Sequence, residues 1–379
     1  MTLETHFDGF LERLVAFMNA PGLPDSIVPG APTFNLLSLE LFSLQFTWNP
    51  GYQGFCRGRG IKSVEQIRDP GQIPAMPTTA FKQTRLSCLP PEAVIREFHS
   101  SGTTEHRPSC HAHSHQSLAL YERSLTLGFQ NGLIRQPPRN DCTLISLTPS
   151  SGIAPHSSLA HMCEVVRDQW GDSHSGCLGH TDAQGAWLVD PDRFIRSGSR
   201  AIEANRPLGI LGTAFNWVHL LDMLNERRVE LQLPSGSWAM ETGGYKGRSR
   251  VLSQPGLHAM ISDRLGIPAD HIVREYGMSE LSSQAYDRVI GNAATTGTSA
   301  CCFHFPHWAR ARIISPENGG EVEEGAIGII QVLDLANAFS LMAVQTEDLG
   351  RRRGGGFEWI GRVADTESRG CSLLAKAGI

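Results

Sequence analysis

Lysine is scarce in this chain. Of its 33 basic side chains only Lys62, Lys82, Lys246 and Lys376 are lysines, and the rest are arginines. Any chemistry that needs a lysine therefore has few candidates. The formal net charge is −5, which leaves no electrostatic case for bulk nucleic-acid binding. Paired cysteines are missing as well. The nine cysteines (Cys56, Cys88, Cys110, Cys142, Cys163, Cys177, Cys301, Cys302 and Cys371) are scattered, and no C-x-x-C pair occurs. An odd, unpaired set is expected to be reduced cytosolic thiols. No stretch approaches the roughly 18 apolar residues of a membrane span. The N-terminus lacks a basic region followed by an apolar run, so a cytoplasmic protein without a signal peptide is expected. An absent span still allows a membrane-derived substrate such as a fatty acid. No internal repeat and no low-complexity segment is present. The G-x-S-x-G elbow is missing, which disfavours a Ser–His–Asp hydrolase.

What is present is ordinary globular composition, 40% apolar and 19% charged over 379 residues. That length suits one large domain or two to three smaller ones. Leu3, Phe7, Phe10, Leu11, Leu14, Val15 and Met18 recur at helical spacing, which predicts a helix over 2–19 stopped by Pro21-Gly22. Residues 23–90 are rich in Pro and Gly, with aromatic islands around Phe42 to Trp48, and read as loops and short elements. From about residue 94 the texture is α/β. Strands are expected at 94–99, 143–147, 208–214, 237–241, 271–275, 327–333 and 341–345, with helices at 115–133 and 216–228. The recurring unit is a strand followed by a polar or Gly-rich loop. In open α/β sheets ligands sit beyond the carboxyl ends of strands. The expected organisation is an N-terminal helical and loop-rich part over 1–93, an α/β core over 94–350 and a C-terminal extension over 351–379.

Four short motifs carry possible chemistry. Ser100-Ser101-Gly102-Thr103-Thr104 leaves a strand, and its small residues allow backbone N–H groups and hydroxyls to converge on phosphate oxygens. It is not the P-loop of NTPases, because no Gly-Lys-Ser/Thr follows. Tyr276-Gly277-Met278-Ser279-Glu280 puts an aromatic ring, a glycine, a hydroxyl and a carboxylate on one turn. Those groups suit base stacking, close approach to a phosphate and Mg²⁺ binding. Thr346-Glu347-Asp348 places two carboxylates after a strand, where ionised oxygens accept from sugar hydroxyls. Gly361-Arg362-Val363-Ala364-Asp365 is followed closely by Arg369-Gly370-Cys371-Ser372-Leu373. Each motif alone is also what an ordinary loop or solvated turn looks like.

Their order along the chain resembles the motif series of the acyl-adenylate-forming superfamily, which includes acyl-CoA synthetases, peptide-synthetase adenylation domains and luciferases. The run Glu241-Thr242-Gly243-Gly244-Tyr245-Lys246-Gly247-Arg248, the stretch from Tyr276 through Gln284 and the Arg369–Leu373 segment are similar to the acyl-protein synthetase subunit of the luminescence fatty-acid reductase. The resemblance covers roughly 94–373. It implies an adenylate-forming large domain with mixed β-sheets flanked by helices, and ATP and Mg²⁺ as cofactors. It also implies roles. The Ser100, Ser101, Gly102, Thr103, Thr104 loop would hold the β- and γ-phosphates. Thr242, Gly243, Gly244 and Tyr245 would line the adenine pocket, with Tyr276 stacked on the base beside Gly277 and Met278. Ser279 and Glu280 would contact the α-phosphate and Mg²⁺. Asp348 would bind the ribose, with Arg362 at the nucleotide. Glu105 departs from the pattern, since superfamily members commonly have glycine there.

In that family ATP and a fatty acid give acyl-AMP. The acyl group passes to a cysteine near the C-terminus and then to a partner reductase. Cys371 matches that cysteine by motif and position. Ordinary superfamily members continue into a mobile C-terminal domain with a catalytic lysine, and the resemblance ends so near Ile379 that a fold lacking that domain in full is expected. Lys246 or Arg248 is the candidate replacement for its charge, although both also read as a solvated basic turn. Arg369 near Cys371 would favour the thiolate. Two other readings stay open: direct transfer to coenzyme A or a carrier protein with Cys371 only structural, and a non-catalytic nucleotide-binding subunit. Finally, Cys110-His111-Ala112-His113-Ser114-His115 invites a metal reading, because alternate residues of a strand share a face.

Overall fold

The computed structural model describes residues 3–20, 33–100, 107–134, 142–183, 185–243, 252–291 and 302–363. The chain divides into two compact units that interleave along the sequence. One comprises Met1–Gly128, Met278–Ala285 and Cys301–Ile379, and the other Phe129–Gly277 and Tyr286–Ala300.

The second unit is a parallel-sheet unit. Its strands lie in the order Ile272–Tyr276, Trp238–Thr242, Leu208–Thr213, Thr143–Ser146 and Gly176–Cys177, each pair parallel. A strand covered on both faces reads as a continuous apolar run, and all of Leu208–Thr213 is buried. The connecting helices are Ser158–Trp170, Pro191–Ala204, Ala214–Glu226 and Gln254–Leu265. Each starts on a capping side chain: Ser157 accepts from the Ala160 amide at 3.1 Å, Asp190 from Arg193 at 2.9 Å, Thr213 from Asn216 at 3.1 Å and Ser253 from Gly256 at 3.3 Å. Such a cap satisfies one of the helix's orphan donors and is worth about 1 kcal/mol. Trp217, Leu221, Leu257, Ile261 and Ile272 pack into one core, at about 1.5–3 kcal/mol per fully buried aliphatic side chain. Gly209 is fixed by packing, because a Cβ there would lie 2.5 Å from the Trp238 ring.

The first unit is built on an antiparallel sheet in the order Cys302–Phe303, Gly356–Arg362, Ala343–Arg353, Ile327–Asp334 and Ala309–Ile314. Met76–Pro77 adds a short parallel strand beside Val344 and Gln345. A separate hairpin pairs Arg96–His99 with Cys110–His113. Helices Leu3–Asn19, Phe34–Trp48 and Pro50–Gly58 belong to this unit. Phe7 stacks on Phe339 with ring centroids 4.6 Å apart. The buried Gln45 amide donates to the carbonyls of Asn337 (2.8 Å) and Ala338 (3.0 Å) and accepts from the Met342 amide (3.0 Å).

Two expectations need correction. The segment 23–90 is more than loops and short elements, because it holds the 15-residue helix Phe34–Trp48, followed by the helix Pro50–Gly58. In the first, Ser38 and Gln45 are buried while Leu36 is exposed, so the contrast between faces that makes a helix legible is weak. The strand expected over 341–345 runs on from Ala343 to Arg353, so Thr346-Glu347-Asp348 lies inside a strand. The expected helices at 2–19, 115–133 and 216–228 form, the second as His115–Phe129 continued by a widened turn over Gln130–Ile134.

Candidate functional site

In the antiparallel-sheet unit the site is assembled around two loops. The hairpin ends on the pair His99 and Cys110. Beyond it, the Ser100 amide donates to the Ser109 carbonyl at 3.2 Å, and the Ser109 amide donates to the Ser100 hydroxyl at 3.0 Å. These bonds pinch the neck of the small-residue loop. Ser101, Gly102, Thr103, Thr104 and Glu105 lie outside the described residues.

His111, on the returning strand, is buried, and its Nδ1 is 2.9 Å from the Ser279 carbonyl oxygen. A carbonyl only accepts, so Nδ1 carries the hydrogen and the ring is held in one tautomer. Burial lowers its pKa to about 4, against the opposing effect of the Ser279 bond. The ring is therefore neutral at neutral pH. The histidine thus ties the hairpin to the turn that carries Glu280. That carboxylate is 4% exposed, and the Ser279 hydroxyl donates to it at 3.4 Å. Burial raises its pKa, and Ser109, Ser279 and the Lys82 ammonium oppose the rise.

The turn is anchored from the sheet. The Asn337 amide donates to the Glu280 carbonyl at 2.8 Å. The Asp334 carboxylate accepts from the amides of Ser282 (2.9 Å), Ser283 (2.8 Å) and Ala336 (3.0 Å) and from the Ser283 hydroxyl (2.7 Å). Burial pushes Asp334 up to about 6 in spite of those donors. The sequence reading named His111 only for a metal and passed over Asp334, Asn337 and Lys82. A buried Asp and Asn inside the apolar run 327–344 were the available signal.

Asp348 and Arg362 are direct partners across two neighbouring strands, with Arg362 Nε 3.6 Å from Asp348 Oδ1. The Asp348 amide donates to the Thr346 hydroxyl at 3.1 Å, and that hydroxyl donates to the Ile330 carbonyl at 2.8 Å. The ladder to the neighbouring strand is irregular here, with Ile329 opposite Leu349 and Gln331 opposite Gln345, and Glu347 is exposed while Asp348 is partly buried.

In the parallel-sheet unit, Thr242 and Gly243 end one strand, and Tyr276 and Gly277 end its neighbour, with Thr242 opposite Glu275. The Thr242 hydroxyl donates to the Glu275 carboxylate. Burial pushes Glu275 up to about 7, with the Thr242 bond opposing. One position back, Glu241 accepts from Arg274 Nε at 3.1 Å and lies 3.3 Å from His258 Nε2. Gly243 has φ +66°, in the left-handed region that glycine adopts at no steric cost. Gly244, Tyr245, Lys246, Arg248 and Cys371 lie outside the described residues. Of the Cys301-Cys302 pair, Cys302 is buried, as a core residue should be.

The three-histidine metal reading fails on geometry. The strand ends at His113, and His115 opens the following helix. The Nδ1 atoms of His111 and His113 are 2.9 Å from the Ser279 carbonyl and the Ser117 hydroxyl.

A family model described as acyl-protein synthetase, LuxE, matches residues 26–377. The chain belongs to the LuxE acyl-protein synthetase family. A long-chain-fatty-acid–luciferin-component ligase of Aliivibrio fischeri is 19% identical over 319 residues, covering 82% of this chain and 77% of the relative. Among solved structures, an open conformation of 2-hydroxyisobutyryl-CoA ligase in complex with its acyl-AMP and CoA aligns with a TM-score of 0.59 at 13% identity. The alignment covers 90% of this chain and 76% of that one. A long-chain-fatty-acid-CoA ligase from Archaeoglobus fulgidus aligns at 0.50 and 14% identity, over 76% and 55%. The fold is that of adenylate-forming ligases. As a member of the LuxE family the protein is an ATP-dependent ligase that activates an acid by adenylation. Among the described residues, no helix is long and apolar enough to cross a membrane.

Proposed function

We propose that this LuxE-family protein activates a long-chain fatty acid as acyl-AMP, takes the acyl group onto Cys371 and passes it to an acceptor protein such as an acyl reductase. The observation that carries the nucleotide part is the buried Glu280 carboxylate, set beside Ser109 at the neck of the Ser100 loop. A carboxylate whose ionisation burial penalises gains most from a nearby cation, so Glu280 fits Mg²⁺. When bound, Mg²⁺ supplies charge neutralisation on the phosphates. The Ser100–Thr104 loop binds the β- and γ-phosphates, and Ser279 contacts the α-phosphate. Tyr276, with Thr242 to Tyr245, takes the adenine, and Asp348 takes the ribose beside Arg362. Lys246 or Arg248 supplies the charge that other adenylating enzymes draw from a mobile lysine.

The chemistry is mainly positioning and charge stabilisation. A carboxylate oxygen of the acid attacks the α-phosphorus, and the bond to pyrophosphate breaks. The Cys371 thiolate then attacks the acyl carbon, and AMP leaves with the bridging oxygen. The resulting thioester keeps the acyl group reactive for the acceptor. The fatty-acid assignment rests on the Aliivibrio fischeri relative named as a long-chain-fatty-acid ligase.

The test is incubation with ATP, Mg²⁺ and radiolabelled acids of varied chain length, followed by a denaturing gel and hydroxylamine. An ATP-dependent, hydroxylamine-labile label that disappears in Cys371→Ser is the expected result. Labelling that survives the substitution, or AMP release only with coenzyme A or a carrier, would move the acceptor away from Cys371. Failure of acid-dependent pyrophosphate exchange into ATP would sink the adenylation step itself.

A further inference from the structure

We propose that Glu97, His99 and Cys110 form a site for a divalent transition-metal cation of the zinc type, at the base of the loop closed by Ser100 and Ser109. The hairpin register brings them together. Glu97 and His99 are two apart on one strand and so share a face, and Cys110 is directly opposite His99. The three side chains are partly buried, and one donor atom from each lies within 4.8 Å of the others. His99 Nε2 is already 3.5 Å from Glu97 Oε2.

A carboxylate, an imidazole and a thiol are the donor types zinc takes. Its bonds of about 2.0–2.3 Å in a tetrahedron put donors roughly 3.3–3.8 Å apart, so closure needs about 1 Å of side-chain rotation. A thiolate is a poor ligand for Mg²⁺, which prefers oxygen, so this site is distinct in kind from Glu280. Charge also closes: the glutamate and the thiolate cancel the two positive charges, and the imidazole binds neutral. A water completes the fourth position. In the apo hairpin burial and Glu97 push the Cys110 thiol up to about 11, against Arg85 and Arg107. Metal binding therefore replaces the thiol proton, which is released to solvent. Occupancy cross-links the two strands one residue below the neck of the small-residue loop.

The test is Co²⁺ titration of the full chain, read by thiolate-to-cobalt absorption and tetrahedral ligand-field bands. One equivalent is expected to bind, to be displaced by Zn²⁺ and to be unaffected by Mg²⁺. Cys110→Ser should abolish the thiolate band, and His99→Gln and Glu97→Gln should each weaken binding by about tenfold or more. A wild-type protein with no thiolate band, or a band that survives Cys110→Ser, overturns the proposal. Should Cys110→Ser fail to fold by circular dichroism, Glu97→Gln decides, since it keeps every cysteine. Unchanged Co²⁺ affinity in that variant overturns the site.

Discussion

In the parallel-sheet unit, Thr242 and Tyr276 stand at adjacent strand ends because the backbone ladder puts them there. In the antiparallel-sheet unit, Glu280 stands on a turn whose place is set by side chains distant in sequence. His111 reaches it across 168 residues, and Asn337 across 57. The first arrangement rests on a buried parallel sheet. The second depends on a polar network whose members are all needed, since a half-satisfied buried network costs more than none. The lesson is that two candidate motifs in one protein can differ sharply in fragility while looking alike as sequence.

The sharpest way to break the comparison is Asp334→Ala. It leaves the buried amides of Ser282, Ser283 and Ala336 without their acceptor. The expected loss is roughly 3–5 kcal/mol of stability, measured by urea denaturation, with Asp334→Asn retaining part of it. A loss under about 1 kcal/mol, within the range of a surface change, would show that the turn is held by its backbone alone.

The buried titratable groups should also part company with pH. The His111 pKa is lowered to about 4, so its contribution is present above the unfolded value near 6.5 and is lost as pH falls through 4. The Glu275 pKa is raised to about 7, so its contribution is present below about 4.5 and is lost as pH rises through 7. Asp334, raised to about 6, follows the same sign as Glu275. Each of the two larger shifts amounts to about 3 kcal/mol across its window. Urea midpoints from pH 4 to 8 should show His111→Gln flattening the acid side and Glu275→Gln flattening the fall in stability between pH 4.5 and 7. Identical profiles in variant and parent would remove the group from the account.

The smallest expected effect is on Arg362. Its guanidinium is 68% exposed and its ion pair with Asp348 spans 3.6 Å. Arg362→Ala should change stability by less than about 1 kcal/mol. If the proposed nucleotide role holds, KM for ATP should rise while the melting temperature stays put. A shift in melting temperature with KM unchanged would make Arg362 a purely structural strand partner.

Much of this architecture was legible beforehand where the pattern is local. The buried strands at 143–147 and 208–214 read directly as apolar runs, and helices were read at 2–19, 115–133 and 216–228. The motif order pointed to the adenylate-forming fold. The helix at Phe34–Trp48 was not legible, because its buried face carries the polar Ser38 and Gln45 while Leu36 stands exposed on the other, which erases the apolar periodicity. The strand through Thr346-Glu347-Asp348 was missed because its polar residues look like a turn until their partners across the sheet are known.

The sequence by itself therefore determined the strands at 143–147, 208–214, 237–241 and 271–275 and the family's motif series, since those rest on short-range propensity and local pattern. Only the tertiary structure decided that His111 fixes Ser279, that Asp334 and Asn337 hold the Glu280 turn, and that Glu97, His99 and Cys110 share one face. Those facts depend on strand register and on contacts between residues far apart in the chain, which burial of the whole core selects and no local pattern encodes.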